Sequence, residues 1–140
     1  MCLRAPMELG RFTKVFKALS DGTRLRIVWV LDRAGTELCV CEIIDSLEET
    51  QYNVSRQMKI LKEADLVQER KEGRWVFYSL KNPESTFLKR VLGSIRSLSG
   101  DTPLRDGERL KARLSLRENG KCVVGMCGSS LTQRQVPQEA

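Results

Sequence analysis

The chain has 140 residues, enough for one domain with extensions. Apolar residues make up 41% and charged residues 30%, a globular balance rather than a disordered one, and the net charge of +6 with a pI of about 9.3 is compatible with nucleic acid or another anionic partner. No run of about 18 apolar residues occurs, which excludes a transmembrane helix, and Met1 to Pro6 is too short and too polar for a signal peptide, so a cytoplasmic protein with no membrane partner is expected.

In that compartment the five cysteines should be reduced, and their odd number fits poorly with a closed disulfide framework. Histidine is absent. Its absence removes Ser-His triads, Cys-His dyads and His-containing zinc sites together. No Walker-type or GxGxxG loop is present. With no recognisable nucleophile-and-base pair, the chain is read as a non-enzyme with no permanently bound cofactor.

Residues 1–7 read as a flexible tail. From 8 to 19, Phe12, Val15, Phe16 and Leu19 fall at i, i+3, i+4, i+7, one face of an amphipathic helix. Asp21 can cap a second helix, whose Leu25, Ile27, Val28, Trp29, Val30 and Leu31 make it the buried one. Leu38 to Leu47 is a short helix candidate. Thr50 can cap the next, 51–64, with Val54, Met58 and Leu61 inward. The period then falls to about 2: 66–71 and 74–80 read as strands around a Glu72-Gly73 turn. Pro83 stands where it can open a helix that carries Phe87, Leu88, Val91, Leu92, Ile95 and Leu98. Gly100 to Gly107 reads as a polar break, Leu110 to Leu116 as a further short helix, and 129–140 as a disordered end. The expected fold is mainly α with a small β-hairpin, a dimeric winged helix-turn-helix of order α-α-α-α-β-β-α. Residues 8–99 form that domain and 100–140 an extension.

The outer face of the 51–64 helix carries Tyr52, Ser55, Arg56 and Lys59, with Gln51 and Asn53 in its first turn. Such side chains at a helix start suit the edges and phosphates of a major groove in double-stranded operator DNA. Arg70, Lys71 and Arg74 cluster at the hairpin, within reach of a minor groove or flanking phosphates. One such unit gives little specificity, so a homodimer is expected. Its interface is assigned to Phe12, Val15, Phe16, Phe87, Leu88, Val91, Leu92 and Ile95.

Several motifs, in order, resemble one family. Phe16-Lys17-Ala18-Leu19-Ser20-Asp21-x-Thr23-Arg24-Leu25-Arg26-Ile27 is similar to the opening of ArsR/SmtB-type repressors. Glu37-Leu38-Cys39-Val40-Cys41-Glu42 resembles their arsenic-sensing box. Val54 to Val67, followed by Arg70-x-Glu72-Gly73-Arg74-Trp75-Val76-Phe77-Tyr78, resembles their recognition helix and wing. The resemblance covers about residues 8–98. It implies a homodimeric repressor that leaves its operator when a metal or metalloid binds. The family's zinc site on its last helix uses histidines and is not carried over.

Thiolates favour soft ions, and a C-x-C pair without histidine favours trivalent arsenic or antimony as inducer, with lead or cadmium next. Family members of this type often carry a third cysteine three residues after the pair, where this chain has Ile44. Cys122, Cys127 and Cys2 are the candidates to complete the site; two thiols alone would suit a methylated trivalent arsenical. On a regular helix Cys39 and Cys41 would point about 200° apart. Sharing an ion then requires the helix start to be unwound or never formed, and that distortion is the expected source of the switch. A redox switch is the alternative, and it needs a distant partner such as Cys122, because a C-x-C disulfide closes a strained small ring.

Overall fold

The structure is a computed structural model that describes residues 4–123 and 125, with side chains from residue 9 onward. Among the described residues, six helices and a three-stranded sheet follow in the order α1 (Arg4–Ala18), α2 (Gly22–Ala34), β1 (Leu38–Cys39), α3 (Val40–Leu47), α4 (Gln51–Glu63), β2 (Val67–Glu72), β3 (Trp75–Leu80), α5 (Thr86–Arg96) and α6 (Asp101–Leu114).

Local chemistry sets the boundaries. The Asp21 carboxylate accepts from the Arg24 amide and starts α2, and Gly35 ends it in the left-handed conformation, at φ 68°. The Thr50 hydroxyl accepts from the Asn53 amide at 3.1 Å and starts α4. Ile27, Val28, Leu38, Ile43, Leu47, Val54, Met58 and Leu61 are fully buried and join α2, α3 and α4 in one core. Each such side chain contributes about 1.5–3 kcal/mol through its removal from water. The α3–turn–α4 pair is thereby held rigidly with the outer face of α4 free. β2 and β3 form the wing, pairing antiparallel from Val67↔Leu80 to Glu72↔Trp75.

Four expectations need correction. Helix α1 starts at Arg4, ahead of residue 8; Pro6 falls in its first turn, where a missing N–H costs no hydrogen bond. The hairpin turn is Gly73-Arg74, with Gly73 at φ 61°, so Arg74 belongs to the turn. Helix α5 begins at Thr86, not at Pro83, because the Ser85 hydroxyl accepts from the Leu88 amide. Residues 101–107, read as a polar break, are the first half of α6. That helix packs on α2 and α3, and Gly107 permits the approach: a Cβ there would lie 3.1 Å from the Trp29 ring. The Asp106 carboxylate is buried but takes a bidentate pair from Arg26 at 2.9 and 3.0 Å, which offsets its desolvation. The Cys127 and Cys2 assignments and the disordered end lie outside the described residues.

Candidate metal centre and nucleic-acid interface

Leu38 and Cys39 are not helical. They form a two-residue strand on the edge of the wing sheet, with Leu38 opposite Tyr78 and Cys39 opposite Phe77. Cys39 keeps an extended backbone, at φ −67° and ψ 148°, and is the N-cap of α3, while Cys41 sits in the first turn. The about 200° divergence expected of a regular helix therefore does not arise. The Cys41 thiol donates to Cys39 Sγ at 3.0 Å, and Cys122 Sγ lies 3.5 Å from Cys41 Sγ. All three sulfurs fall within 4.8 Å of one another and are buried, with Trp75, Phe77 and Val40 packed around them. For a metal–thiolate bond of about 2.3 Å, three sulfurs sharing one ion stand about 3.4–4.0 Å apart. The donor set therefore fits a soft ion with small shifts, and the helix need not unwind.

Cys39 and Cys41 resist ionisation. The neighbouring Cys122 thiol, together with burial, pushes Cys39 up to about 12, against the hydrogen bond that Cys41 donates. Cys41 is also raised, by Cys122, by Cys39 and by burial.

Sequence reasoning missed the frame around them. Arg109, Arg113 and Arg117 recur every fourth residue and fasten α6 and the turn after it along α3. Arg109 Nε donates to the Ser46 carbonyl, Arg113 Nε to Asp45 Oδ2, and Arg117 to both Glu42 oxygens, at 2.7–2.8 Å in each case. Arg117 also donates to the Glu37 carbonyl, and Arg113 to that of Gly125. Fully buried Glu42 accepts the Cys39 amide at 2.9 Å as well. Burial works against the Arg113 charge, but Cys41, Asp45 and Cys122 outweigh it and hold the guanidinium above its ordinary value. Arg117 is raised mainly by Glu42, with Cys122 and Cys39 adding. Both arginines thus stand in the field of the thiols. The four-residue spacing was the available signal, but the acceptors Ser46, Asp45, Glu42 and Glu37 lie 63 to 80 residues away.

On α4, Gln51, Tyr52, Ser55, Arg56 and Lys59 are exposed, and Arg56 stacks over the Tyr52 ring at 5.6 Å. Asn53 is half-buried and engaged: it donates to Glu49 at 2.9 Å and accepts from Gln57, which in turn accepts from Arg24. At the wing, Lys71 and Arg74 are exposed. Arg70 is tied down by Glu37 and Glu72 and lies over Phe77 at 4.6 Å. Among the residues assigned to a dimer interface, Val15, Leu92 and Ile95 are buried within the protomer. Phe12, Phe16 and Phe87 form an aromatic cluster joining α1 and α5, with ring centroids 4.6 and 5.4 Å apart, and Phe16 is 58% exposed. Leu88 and Val91 pack against the core while remaining partly exposed.

Residues 21–69 match the family described as bacterial regulatory protein, arsR family. The arsenical resistance operon repressor of Bacillus subtilis is 37% identical over 76 residues, which span 54% of this chain and 71% of that protein. The chain belongs to the ArsR family.

Other ArsR-family relatives are matched over shorter shares. A cadmium resistance transcriptional regulatory protein CadC homolog of Staphylococcus aureus is 44% identical over 54% of this chain and 59% of its own length. The arsenical resistance operon repressor of Escherichia coli is 45% identical over 48% and 56%. The chain thus spans little more than half the length of these two. Among solved structures, the AntR antimony-specific transcriptional repressor aligns with a TM-score of 0.55 at 27% identity, over 63% of this chain and 76% of that one. The homodimeric winged helix-turn-helix domain Mb0332 of Mycobacterium bovis aligns at 0.56 and 27%, over 66% and 82%. The fold is the winged helix-turn-helix. No helix among the described residues is long and apolar enough to cross a membrane.

Proposed function

We propose that this ArsR-family protein is a transcriptional repressor that binds operator DNA as a homodimer and is released when trivalent arsenic or antimony is captured by Cys39, Cys41 and Cys122. The convergence of three buried thiols at the foot of the wing carries this reading. Cys39 belongs to the wing sheet, Cys41 to the first helix of the helix-turn-helix, and Cys122 to the segment after α6. An ion bonded to all three fixes the relative placement of those parts. It biases DNA affinity to the extent that the DNA-bound geometry holds the sulfurs differently. The relatives named for arsenical resistance and the antimony-specific neighbour support the class of inducer. The homodimeric neighbour supports pairing, and the partly exposed aromatic cluster of α1 and α5 is the face proposed for it.

The test is operator release from the purified protein by arsenite, methylarsenite, antimonite, cadmium and lead under reducing conditions, read by fluorescence anisotropy. Release by arsenite or antimonite supports the reading. Release by cadmium alone moves the protein to the class of the CadC homolog. Release by peroxide alone favours a disulfide switch, for which Cys41 and Cys122 at 3.5 Å are the placed pair.

Proton balance gives a second check. Three S–H groups and As(OH)₃ yield three As–S bonds and three waters, with no net proton released. Three S–H groups and a divalent cation release up to three protons. With Cys39 pushed up to about 12 and Cys41 raised as well, these two thiols are protonated at neutral pH. Arsenite release is therefore expected to be nearly flat between about pH 6 and 8, whereas apparent cadmium affinity should rise with pH by up to about three decades per unit.

On the DNA side, Arg56→Ala is expected to weaken operator binding by about 1–3 kcal/mol and to lower the salt slope by about one. Asn53→Ala should instead act through the α4 hydrogen-bond chain. An Arg56→Ala protein with unchanged affinity in a salt titration would remove α4 as the reader.

A further inference from the structure

We propose that Asp45 sets the charge of the adduct the thiol cluster accepts, and thereby selects trivalent metalloids over divalent soft cations. The inference rests on the thiol-site reading above and deepens it.

Two ion pairs flank the cluster. Arg113 is held by Asp45 at 2.8 Å and Arg117 by Glu42 at 2.7 Å. Arg113 and Glu42 are buried, and Asp45 nearly so, so these charges are weakly screened. With neutral thiols these two pairs carry no net charge. Replacing three hydroxides on a trivalent metalloid by three thiolates gives a neutral adduct and leaves that balance untouched. A divalent cation on the same three thiolates gives an adduct of charge −1, after three protons have left. A net buried charge without a counter-charge is costly. Arg113 and Arg117 face the sulfurs, yet each already has its own carboxylate.

Asp45 is the pair member that can be neutralised with least disturbance. Glu42 also accepts the Cys39 amide, so neutralising it would disturb the backbone beside a ligand directly. In Asp45→Asn the side-chain carbonyl can still accept from Arg113 Nε. The Arg113 charge then becomes the missing counter-charge for an anionic adduct.

The experiment titrates the full-length reduced protein with arsenite, antimonite, cadmium and lead, following sulfur-to-ion charge-transfer absorbance at fixed pH. Asp45→Asn is expected to raise cadmium and lead affinity relative to arsenite by on the order of tenfold to a hundredfold. Asp45→Glu, which keeps the charge, should leave the ratio as in wild type. Arg113→Gln, which leaves Asp45 in excess, should shift it the opposite way and serves if the Asn variant does not fold. An unchanged ratio in both Asp45→Asn and Arg113→Gln, or an equal shift for all four ions, overturns the proposal while the thiol site stands. If Cys39→Ser and Cys122→Ser proteins bind all four ions as wild type does, the thiol site is refuted and this inference falls with it.

Discussion

Cys39→Ser and Cys41→Ser are each expected to abolish operator release by arsenite and antimonite while leaving ion-free DNA binding intact. Loss of an outer-shell partner of a metal site already costs about 10–100-fold in affinity, so loss of a ligand should exceed about 100-fold. The two cysteines lie on β1 and at the start of α3 rather than on the outer face of α4, so ion-free DNA binding is expected to be spared. Cys122→Ser separates the inducers. Arsenite and antimonite use three thiolates and should lose most of their effect. Methylarsenite has one arsenic bond already occupied by carbon, and Cys39 and Cys41, 3.0 Å apart, suffice for it. A serine hydroxyl buried in place of the thiol needs a hydrogen-bond partner, so thermal unfolding must accompany each titration. A Cys122→Ser protein with the wild-type arsenite midpoint would sink the three-thiol site and leave a two-thiol one.

Placing the third sulfur depends on parts of the fold that local sequence patterns could not resolve. Helices α2 and α4 and the wing strands were legible because period, caps and turn residues agree: Asp21, Thr50 and Gly73 each act where their chemistry indicates. Strand β1 was not, since two residues carry no period and the partners Tyr78 and Phe77 lie about forty residues on. Its absence from the reading generated the mistaken helical divergence of Cys39 and Cys41. Helix α6 was hidden by its own first half. Asp101, Thr102, Pro103 and Gly107 have turn-like composition, but the acid and the proline suit a helix start and the glycine suits close packing on Trp29. Cys122 could be named as a ligand candidate among three, but the sequence could not bring it to Cys39 and Cys41. In space it meets them because arginines of α6 and the turn after it hold that segment along α3, and their partners are remote in sequence. For Asn53 the type was right for a base edge, but Glu49 and Gln57 at i−4 and i+4 take its amide first.

The same frame makes Glu42 the most sensitive position for stability. Its carboxylate is fully buried and satisfies three donors: the Cys39 amide, Arg117 Nε and Arg117 Nη2, all within 2.9 Å. Glu42→Ala leaves a largely covered guanidinium and a buried amide without their acceptor. Breaking a buried pair from one side costs about 3–5 kcal/mol, which for a chain of this size lowers Tm by on the order of 10 °C. The double replacement of Glu42 and Arg117 by leucine removes both charges and should recover much of the loss, because a buried pair exchanged for apolar packing is often near neutral. Stability and sensing should separate in that protein. Without Arg117 the Glu37 carbonyl and the turn leading to Cys122 lose their fastener, so the double variant should fold yet capture arsenite weakly. Urea unfolding and arsenite titration of the wild type, Glu42→Ala and the double variant decide it. A Glu42→Ala protein within about 1 kcal/mol of wild type would show that water enters and solvates Arg117, and the frame would then not be the rigid support that brings the three sulfurs together.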